Sequence, residues 1–142
     1  MYFGDTIKQL RLKNDLTQKQ LANGIIGVRH LKKIEGNENL PRIDTLELLS
    51  SRLGVNLQNY IEYSVYEDPI AAYDFFKELE KNHKLRNRSK INDMVTSPIC
   101  KKYHLPNHEK KLKWYKLVTT AYLDDKLTDG IQKLLELMAS YY

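Results

Sequence analysis

Residues 16–22 read LTQKQLA and residues 31–36 read LKKIEG, and these two runs decide the fold. Thr17 and Gln20 have the spacing of a capping box, which predicts the start of a short helix. Ala22 is small enough to let a second helix cross the first closely, and Gly24 predicts a tight turn between them. The stretch therefore predicts two short helices joined at a sharp angle.

The second helix is expected over residues 28–35, after Gly27 as N-cap and before Gly36 as a left-handed terminating residue. Leu31 and Ile34 would face the core. The side chains that would then project outward are Val28, Arg29, Lys32 and Lys33. Three of these four are basic, and no acid occurs between residues 16 and 34. An ordinary amphipathic helix is the alternative, but the combination favours a helix-turn-helix whose second helix enters the major groove of DNA.

Helical spacing also dominates the rest of the chain, so the predicted fold class is all-α. Five helices are expected in a first domain, residues 1–65, at about 5–13, 17–22, 28–35, 44–53 and 57–63. Glu67-Asp68-Pro69 predicts a boundary and the start of a new helix. About four antiparallel helices are expected in a second domain, residues 66–142. One is expected at about 69–82, and the next follows the basic stretch Lys84–Lys90 and should be ended or kinked by Pro98. The last two are expected at about 108–124 and 129–140.

The composition excludes several classes of protein. The chain has 142 residues, of which 42% are apolar and 29% charged, with a net charge of +5. It contains no apolar stretch that would cross a membrane and does not begin like a secretory signal, and Cys100 is its single cysteine. We therefore expect a cytoplasmic protein with no membrane association and no internal disulfide.

Candidate catalytic and metal sites are weak. His104 and His108 are four apart, but Pro106 lies between them, so a loop with two exposed histidines is favoured over a zinc site. Cys100 lies beside Lys101 and Lys102 and is interpreted as a half-buried thiol rather than a redox sensor. No nucleophile–base–acid set and no phosphate-binding glycine loop stands out. We expect no enzyme, no cofactor and no metal.

Two further features lie outside the helix-turn-helix. Residues 81–116 carry eleven bases against Asp93 and Glu109, which is interpreted as a solvated face, although flanking DNA or an acidic partner would also fit. An aromatic set near the domain junction could line a ligand groove, but packing is favoured. Its members are Tyr60, Tyr63, Tyr66, Tyr73, Phe75 and Phe76.

Residues 5–60 resemble the lambda-repressor/Cro-like (XRE-type) helix-turn-helix family. The matching pieces are Leu16-Thr17-Gln18, Leu21-Ala22, Ile34-Glu35-Gly36, Pro41 followed by Thr45-Leu46, and Leu53-Gly54-Val55. The turn, with Gly24-Ile25-Ile26, is one residue shorter than is usual in that family. It is closer to the PlcR/Rgg-type peptide-sensing regulators, which the pieces Tyr103-His104, Trp114-Tyr115 and Leu134-Leu135 also resemble. The C-terminal helices would then be a shortened, TPR-like helical-repeat region.

The resemblance implies roles for individual residues. The positions that match base-reading residues are Val28, Arg29 and Lys33. The positions that match or flank DNA-backbone contacts are Gln18, His30, Lys32, Asn37 and Arg42. Gln18 also matches a residue that braces the recognition helix. Arg11 and Glu35 match a partly buried ion pair that holds the first helix to the third. The departure is Gly27, where the family usually has Ser or Thr as the helix cap.

These features together predict a sequence-specific regulator of transcription that binds double-stranded DNA. Because one unit reads only a few base pairs, we expect a homodimer on a palindromic operator, joined through the C-terminal helices. The resemblance also implies a possible short signalling peptide as ligand, and a partner-docking role for the C-terminal helices is the alternative. A protein-interaction module whose DNA surface has decayed is a further alternative.

Overall fold

A computed structural model describes residues 1–123 together with Lys133, Glu136 and Leu137. Every regular element in this part of the chain is helical, which confirms the all-α prediction. The α-helices are α1 (Phe3–Lys13), α2 (Gln18–Ala22), α3 (Val28–Glu35), α4 (Ile43–Leu53), α5 (Pro69–Lys84), α6 (Arg88–Thr96) and α7 (Pro106–Leu123), with 3-10 helices at Leu57–Tyr63 and Pro98–Lys102. The helix predicted at 129–140 lies outside the described residues apart from the three named ones.

The chain divides into two compact units, Met1–Asp74 and Phe75–Tyr142. The sequence predicts the division after residue 65 instead, and that boundary stays a prediction. The difference has a physical cause, because Tyr73 in the second turn of α5 packs against tyrosines of the first 3-10 helix. Its ring centroid lies 4.4 Å from that of Tyr60 and 5.8 Å from that of Tyr63.

The core of the first unit is built by the apolar faces of α1–α4 and the following 3-10 helix. Its buried members are Phe3, Ile7, Leu10, Leu21, Ala22, Leu31, Ile34, Leu46, Leu49, Leu53, Leu57 and Tyr60. α3 packs against both α1 and α2, and α2 also packs against α4. Because α2 and α3 are short, they are stabilised by this packing rather than by their own length.

The end of α3 differs from the prediction. Gly36 is not left-handed, since its φ is −82°, and the left-handed residue is Asn37 with a φ of 60°. The Gly36 N–H still donates to the Lys32 carbonyl, so the helical turn continues through the glycine. Asparagine tolerates the left-handed region when its side chain is held by hydrogen bonds, and here those bonds are made with Gly4 and Asp5 of α1. α4, in contrast, does end at a left-handed glycine, Gly54, as its sequence predicts.

α5 begins with Asp68 as its cap, because the Asp68 carboxylate accepts from the Ala71 N–H at 3.0 Å. It ends in a Schellman motif, in which the Arg86 N–H donates to the His83 carbonyl and the Asn87 N–H to the Asn82 carbonyl. The left-handed position of this motif is usually glycine, but here it is Arg86, with a φ of 55°. α6 packs against α7 within the second unit.

The prediction of two exposed histidines is wrong for one of them. His104 is exposed, but His108 is 1% exposed and its ring lies 4.8 Å from that of Phe76. The reason is that Pro106 begins α7 rather than breaking the chain before it, since proline is favoured in a first helical turn. The prediction that Pro98 ends the preceding helix is confirmed, because α6 stops at Thr96.

None of the helices in the described part of the chain combines the length and apolar character needed to cross a bilayer.

Candidate nucleic-acid interface

α2 begins in the capping box that the sequence predicts. The Gln20 N–H donates to Thr17 Oγ1 at 3.1 Å, and the Thr17 N–H donates to Gln20 Oε1 at 2.8 Å. Leu21 and Ala22, at the other end of this five-residue helix, are buried in the core. The capping box therefore satisfies donors at the start of α2, and burial fixes its end.

The turn between α2 and α3 is tight. Gly24 has a φ of 75°, in the region that favours glycine. The N–H groups of Ile25 and Ile26 both donate to the Ala22 carbonyl, so the backbone folds back on the end of α2. Gly27 then caps α3, which begins at Val28 as the sequence predicts. The missing Ser or Thr cap has not displaced the start of the helix.

α3 presents one buried and one exposed face. Leu31, Ile34 and Glu35 are buried. The exposed side chains form a surface that we call the basic face, composed of Arg29, His30, Lys32 and Lys33. Val28 differs from the expectation of an outward side chain, because it is half-buried and packs against the core.

A buried network joins α1, α2 and α3. Arg11 Nε donates to Glu35 Oε1 at 2.6 Å and Arg11 Nη2 to Glu35 Oε2 at 3.2 Å, and the two side chains are 8% and 3% exposed. Arg11 Nη1 also donates to the Leu16 carbonyl at 2.9 Å. Gln18 Nε2 donates to Glu35 Oε2 at 2.8 Å. Gln18 therefore braces α3 from α2, which is one of the two roles expected for it.

Asn37 is used inside the protein. Its Oδ1 accepts from the Gly4 N–H at 2.7 Å, and its Nδ2 donates to Asp5 Oδ2 at 3.2 Å. The loop after α3 is thereby tied to the start of α1. The sequence assigns Asn37 to the DNA backbone, which stays a prediction, and the structure shows its side chain engaged with α1. Gly4 is required for this approach, because a Cβ built there would lie 2.0 Å from the Ile34 carbonyl oxygen.

Two arginines lie on α4. Arg42 is the N-cap residue of α4 and is exposed. Its side chain is therefore at the surface, where the predicted contact with DNA would need it. Arg52, in the last turn, was not singled out by the sequence. Its Nη1 donates to the carbonyls of Gln20 (3.3 Å), Leu21 (3.0 Å) and Asn23. No local pattern signals this contact, since it joins residues about thirty positions apart.

The chemistry of this surface is suited to binding an anion. The basic face consists of one arginine, two lysines and one histidine, and the one acid of α3, Glu35, is buried in its ion pair. In the described part of the chain, no three His, Cys, Asp or Glu side chains gather in a way that would hold a metal ion. An exposed cationic helix face fits a polyanion.

A second candidate site lies wholly within the second unit. A pocket with a volume of about 390 Å³ opens between the end of α5, α6 and α7. Its lining combines basic side chains with aromatic and apolar ones, namely His83, Arg86, Arg88, Ile91, Trp114, Tyr115, Val118 and Thr119. The His83 ring lies 5.2 Å from that of Trp114 and 5.6 Å from that of Tyr115. Burial raises the pKa of Tyr115.

Comparison with known families finds a match over the part of the chain that carries the first of these sites. Residues 7–59 match the helix-turn-helix family. This range contains α2, α3 and α4, the last seven residues of α1 and the first three residues of the 3-10 helix that follows α4. The N-terminal unit thus carries an XRE-type helix-turn-helix domain, as the sequence pattern and the resemblance predict.

The whole chain is similar in fold to a solved structure, PlcR of Bacillus thuringiensis in complex with the peptide PapR7 and DNA. The TM-score is 0.74 and the sequence identity 24%, and the match covers 99% of this chain and 51% of that one. The chain therefore spans about half the length of that protein. The likeness extends beyond the helix-turn-helix into the TPR-like helices. No curated protein matches the chain by sequence.

Proposed function

We propose that the protein is a sequence-specific regulator of transcription that acts in the cytoplasm by inserting α3 into the major groove of double-stranded DNA, and that it is not an enzyme. The observation that carries this proposal is the basic face of α3, which is exposed while the opposite face is packed into the core. The helix-turn-helix domain at residues 7–59 supports it. PlcR, which shares the fold, was solved with DNA.

The proposal divides the side chains of α3 by task. Arg29 and Lys33 read base edges, because a guanidinium or ammonium group can donate to O6 and N7 of guanine. His30 and Lys32 flank the groove and contact phosphates, together with Arg42 at the start of α4. Val28 is half-buried, so its share in reading bases is limited to the part of the side chain that remains exposed, which would contact a thymine methyl group.

Two residues that the resemblance assigns to the DNA backbone act mainly inside the domain. Gln18 braces α3 through Glu35, and Asn37 ties the loop after α3 to α1. Both set the position of α3 rather than its contacts with DNA. The Arg11–Glu35 pair has the same structural task, because it joins α1 to α3 away from solvent.

We further propose that two copies bind a palindromic operator. A single recognition helix reads too few base pairs to select one genomic site, whereas two half-sites one helical turn apart supply the remaining discrimination. The C-terminal helices, residues 66–142, are proposed to join the two copies.

The experiment is selection of binding sites from random DNA duplexes by the full chain, followed by affinity measurements at several salt concentrations. We expect a palindromic consensus. Replacing Lys33 by Ala should cost about 1–3 kcal/mol of binding free energy and relax preference at one position of each half-site. Lys8→Ala removes the same charge from an exposed position of α1 and should leave the preference unchanged. Selection without any consensus would contradict the proposal.

A second candidate function, recognition of a short signalling peptide, is favoured by the pocket of the second unit. Its volume lies in the range of small-ligand sites, and its lining provides cations beside aromatic and apolar surface. Such a lining fits a peptide with an apolar side chain next to a free carboxylate. PlcR was solved with the peptide PapR7, which supports the same class of ligand.

Isothermal titration of the full chain with short apolar peptides tests this candidate. Peptides with a free C-terminal carboxylate should bind with a saturating isotherm, and their amidated forms should bind at least about tenfold more weakly because a charged hydrogen bond is lost. Arg86→Gln should weaken binding, whereas Lys84→Gln, an exposed lysine outside the pocket lining, should not. Heat without saturation for every peptide would exclude this ligand class.

A further inference from the structure

The carbonyl groups at the end of a helix have no hydrogen-bond partner inside it and must be satisfied from elsewhere. At the end of α2 this requirement is met by a side chain from another helix. Arg52, in the last turn of α4, donates through Nη1 to the carbonyls of Gln20, Leu21 and Asn23. One guanidinium group therefore caps the C-terminus of α2 and holds the first residue of the turn.

This contact matters because α2 has only five residues. A helix of that length is unstable alone, so its position depends on what holds its two ends. The capping box of Thr17 and Gln20 fixes its start, and Arg52 fixes its end. The chain passes from Asn23, the C-cap of α2, through four residues of turn directly into α3.

We propose that Arg52 is a positioning residue for the recognition helix. By holding the Asn23 carbonyl, it sets the direction in which the turn leaves α2 and hence how the basic face of α3 is presented to a DNA groove. It acts on DNA recognition through α2 and the turn and not by contact with the nucleic acid. This inference rests on the proposed DNA-binding function.

The competing role for an exposed arginine in a DNA-binding domain is a direct phosphate contact, and the two roles give different results. A phosphate contact depends on charge and contributes about one unit to the slope of log affinity against log salt. The carbonyl clamp depends on reach and geometry. Lysine keeps the charge but is one bond shorter and loses the fork of donors, so it should not replace Arg52 as a clamp.

The test compares Arg52→Lys, Arg52→Gln and the wild-type chain, with Val55→Ala as control. Val55 is partly buried against the same core, so its truncation lowers stability without touching the carbonyls of α2. Each chain is titrated, well below its unfolding temperature, with the duplex that the wild type selects and with a scrambled duplex of equal length. Amide hydrogen exchange of residues 18–27 is measured in parallel.

We expect both Arg52 variants to lose about tenfold in the ratio of selected to scrambled affinity, with an unchanged salt slope and faster exchange in residues 18–27. Val55→Ala should keep the ratio. The inference is overturned if both variants keep the ratio, or if Arg52→Lys behaves as wild type while Arg52→Gln lowers the salt slope by about one. If the wild-type chain did not prefer the selected duplex over the scrambled one, the result would instead contradict the proposed DNA-binding function. The positioning role of Arg52 would fall with it.

Discussion

The buried pair of Arg11 and Glu35 gives the sharpest prediction about stability. Glu35→Met would leave the Arg11 guanidinium buried with the Leu16 carbonyl as its remaining acceptor in the network and would also remove the acceptor of Gln18. Removing one partner of a buried ion pair costs about 3–5 kcal/mol, because the other charge stays desolvated. We expect this loss for Glu35→Met and for Arg11→Met.

The double variant, Arg11→Met with Glu35→Met, should lose much less unfolding free energy than the sum of the losses in the two single variants. Both charges are then absent, and replacing a buried pair by apolar side chains of similar size is often close to neutral. Gln18→Ala serves as a control, because it removes one hydrogen bond to Glu35 and leaves the pair intact. It should cost about 1 kcal/mol.

The assay is urea unfolding of the full chain followed by far-UV circular dichroism. Fluorescence of Trp114, the single tryptophan of the chain, follows the second unit in the same samples. Because the pair is buried, added salt should change these differences little. The account of a desolvated, mutually dependent pair would be refuted if each single variant lost less than about 1 kcal/mol of unfolding free energy. It would also be refuted if the loss in the double variant equalled the sum of the two single losses.

Three further predictions concern other positions. Gly4→Ala should lower the free energy of unfolding in urea by about 1–3 kcal/mol, because its Cβ would lie 2.0 Å from the Ile34 carbonyl oxygen. Gly27→Ala is the control and should be tolerated, because no described atom lies within 4 Å of the Cβ built there. Equal losses of unfolding free energy in the two variants would contradict this. Burial raises the pKa of the Cys100 thiol, so its thiolate fraction at pH 8 is lower than in a free thiol. Iodoacetamide should therefore react with Cys100 more slowly than with a model thiol until urea unfolds the chain. Equal reaction rates for Cys100 and the model thiol would count against burial. Arg86→Gly should relieve the strain of a left-handed, non-glycine residue and raise the free energy of unfolding in urea by up to about 1 kcal/mol. The same substitution should weaken any peptide binding in the pocket. A lower free energy of unfolding would show that no backbone strain is stored at Arg86.

The sequence was sufficient for features that depend on neighbouring residues. The capping box of Thr17 and Gln20 needs three residues of spacing, and the bounds of α3 follow from its apolar period and the glycines at each end. The N-terminal helix-turn-helix and the all-helical class follow from the same local patterns, because each helix carries its own start, stop and apolar stripe.

The sequence was insufficient where distant residues decide a local conformation. Asn37, not Gly36, is left-handed because its side chain is held by Gly4, 33 positions away. The cap that Arg52 provides for α2 is likewise invisible until the fold brings the two together. The exposure predicted for His108 is wrong for a different reason, since a proline that suggests a break in the sequence is here the first residue of α7.

The separation between the two faces of α3 has an evolutionary consequence. The side chains of the basic face add nothing to the packed interior, so their replacement leaves the unfolding free energy nearly unchanged. With the DNA-binding function proposed above, gene duplicates of such a domain can therefore diverge in operator choice one residue at a time without passing through unfolded intermediates. Val28 is the exception, because part of its side chain packs against the interior, so its divergence is limited by folding as well as by DNA.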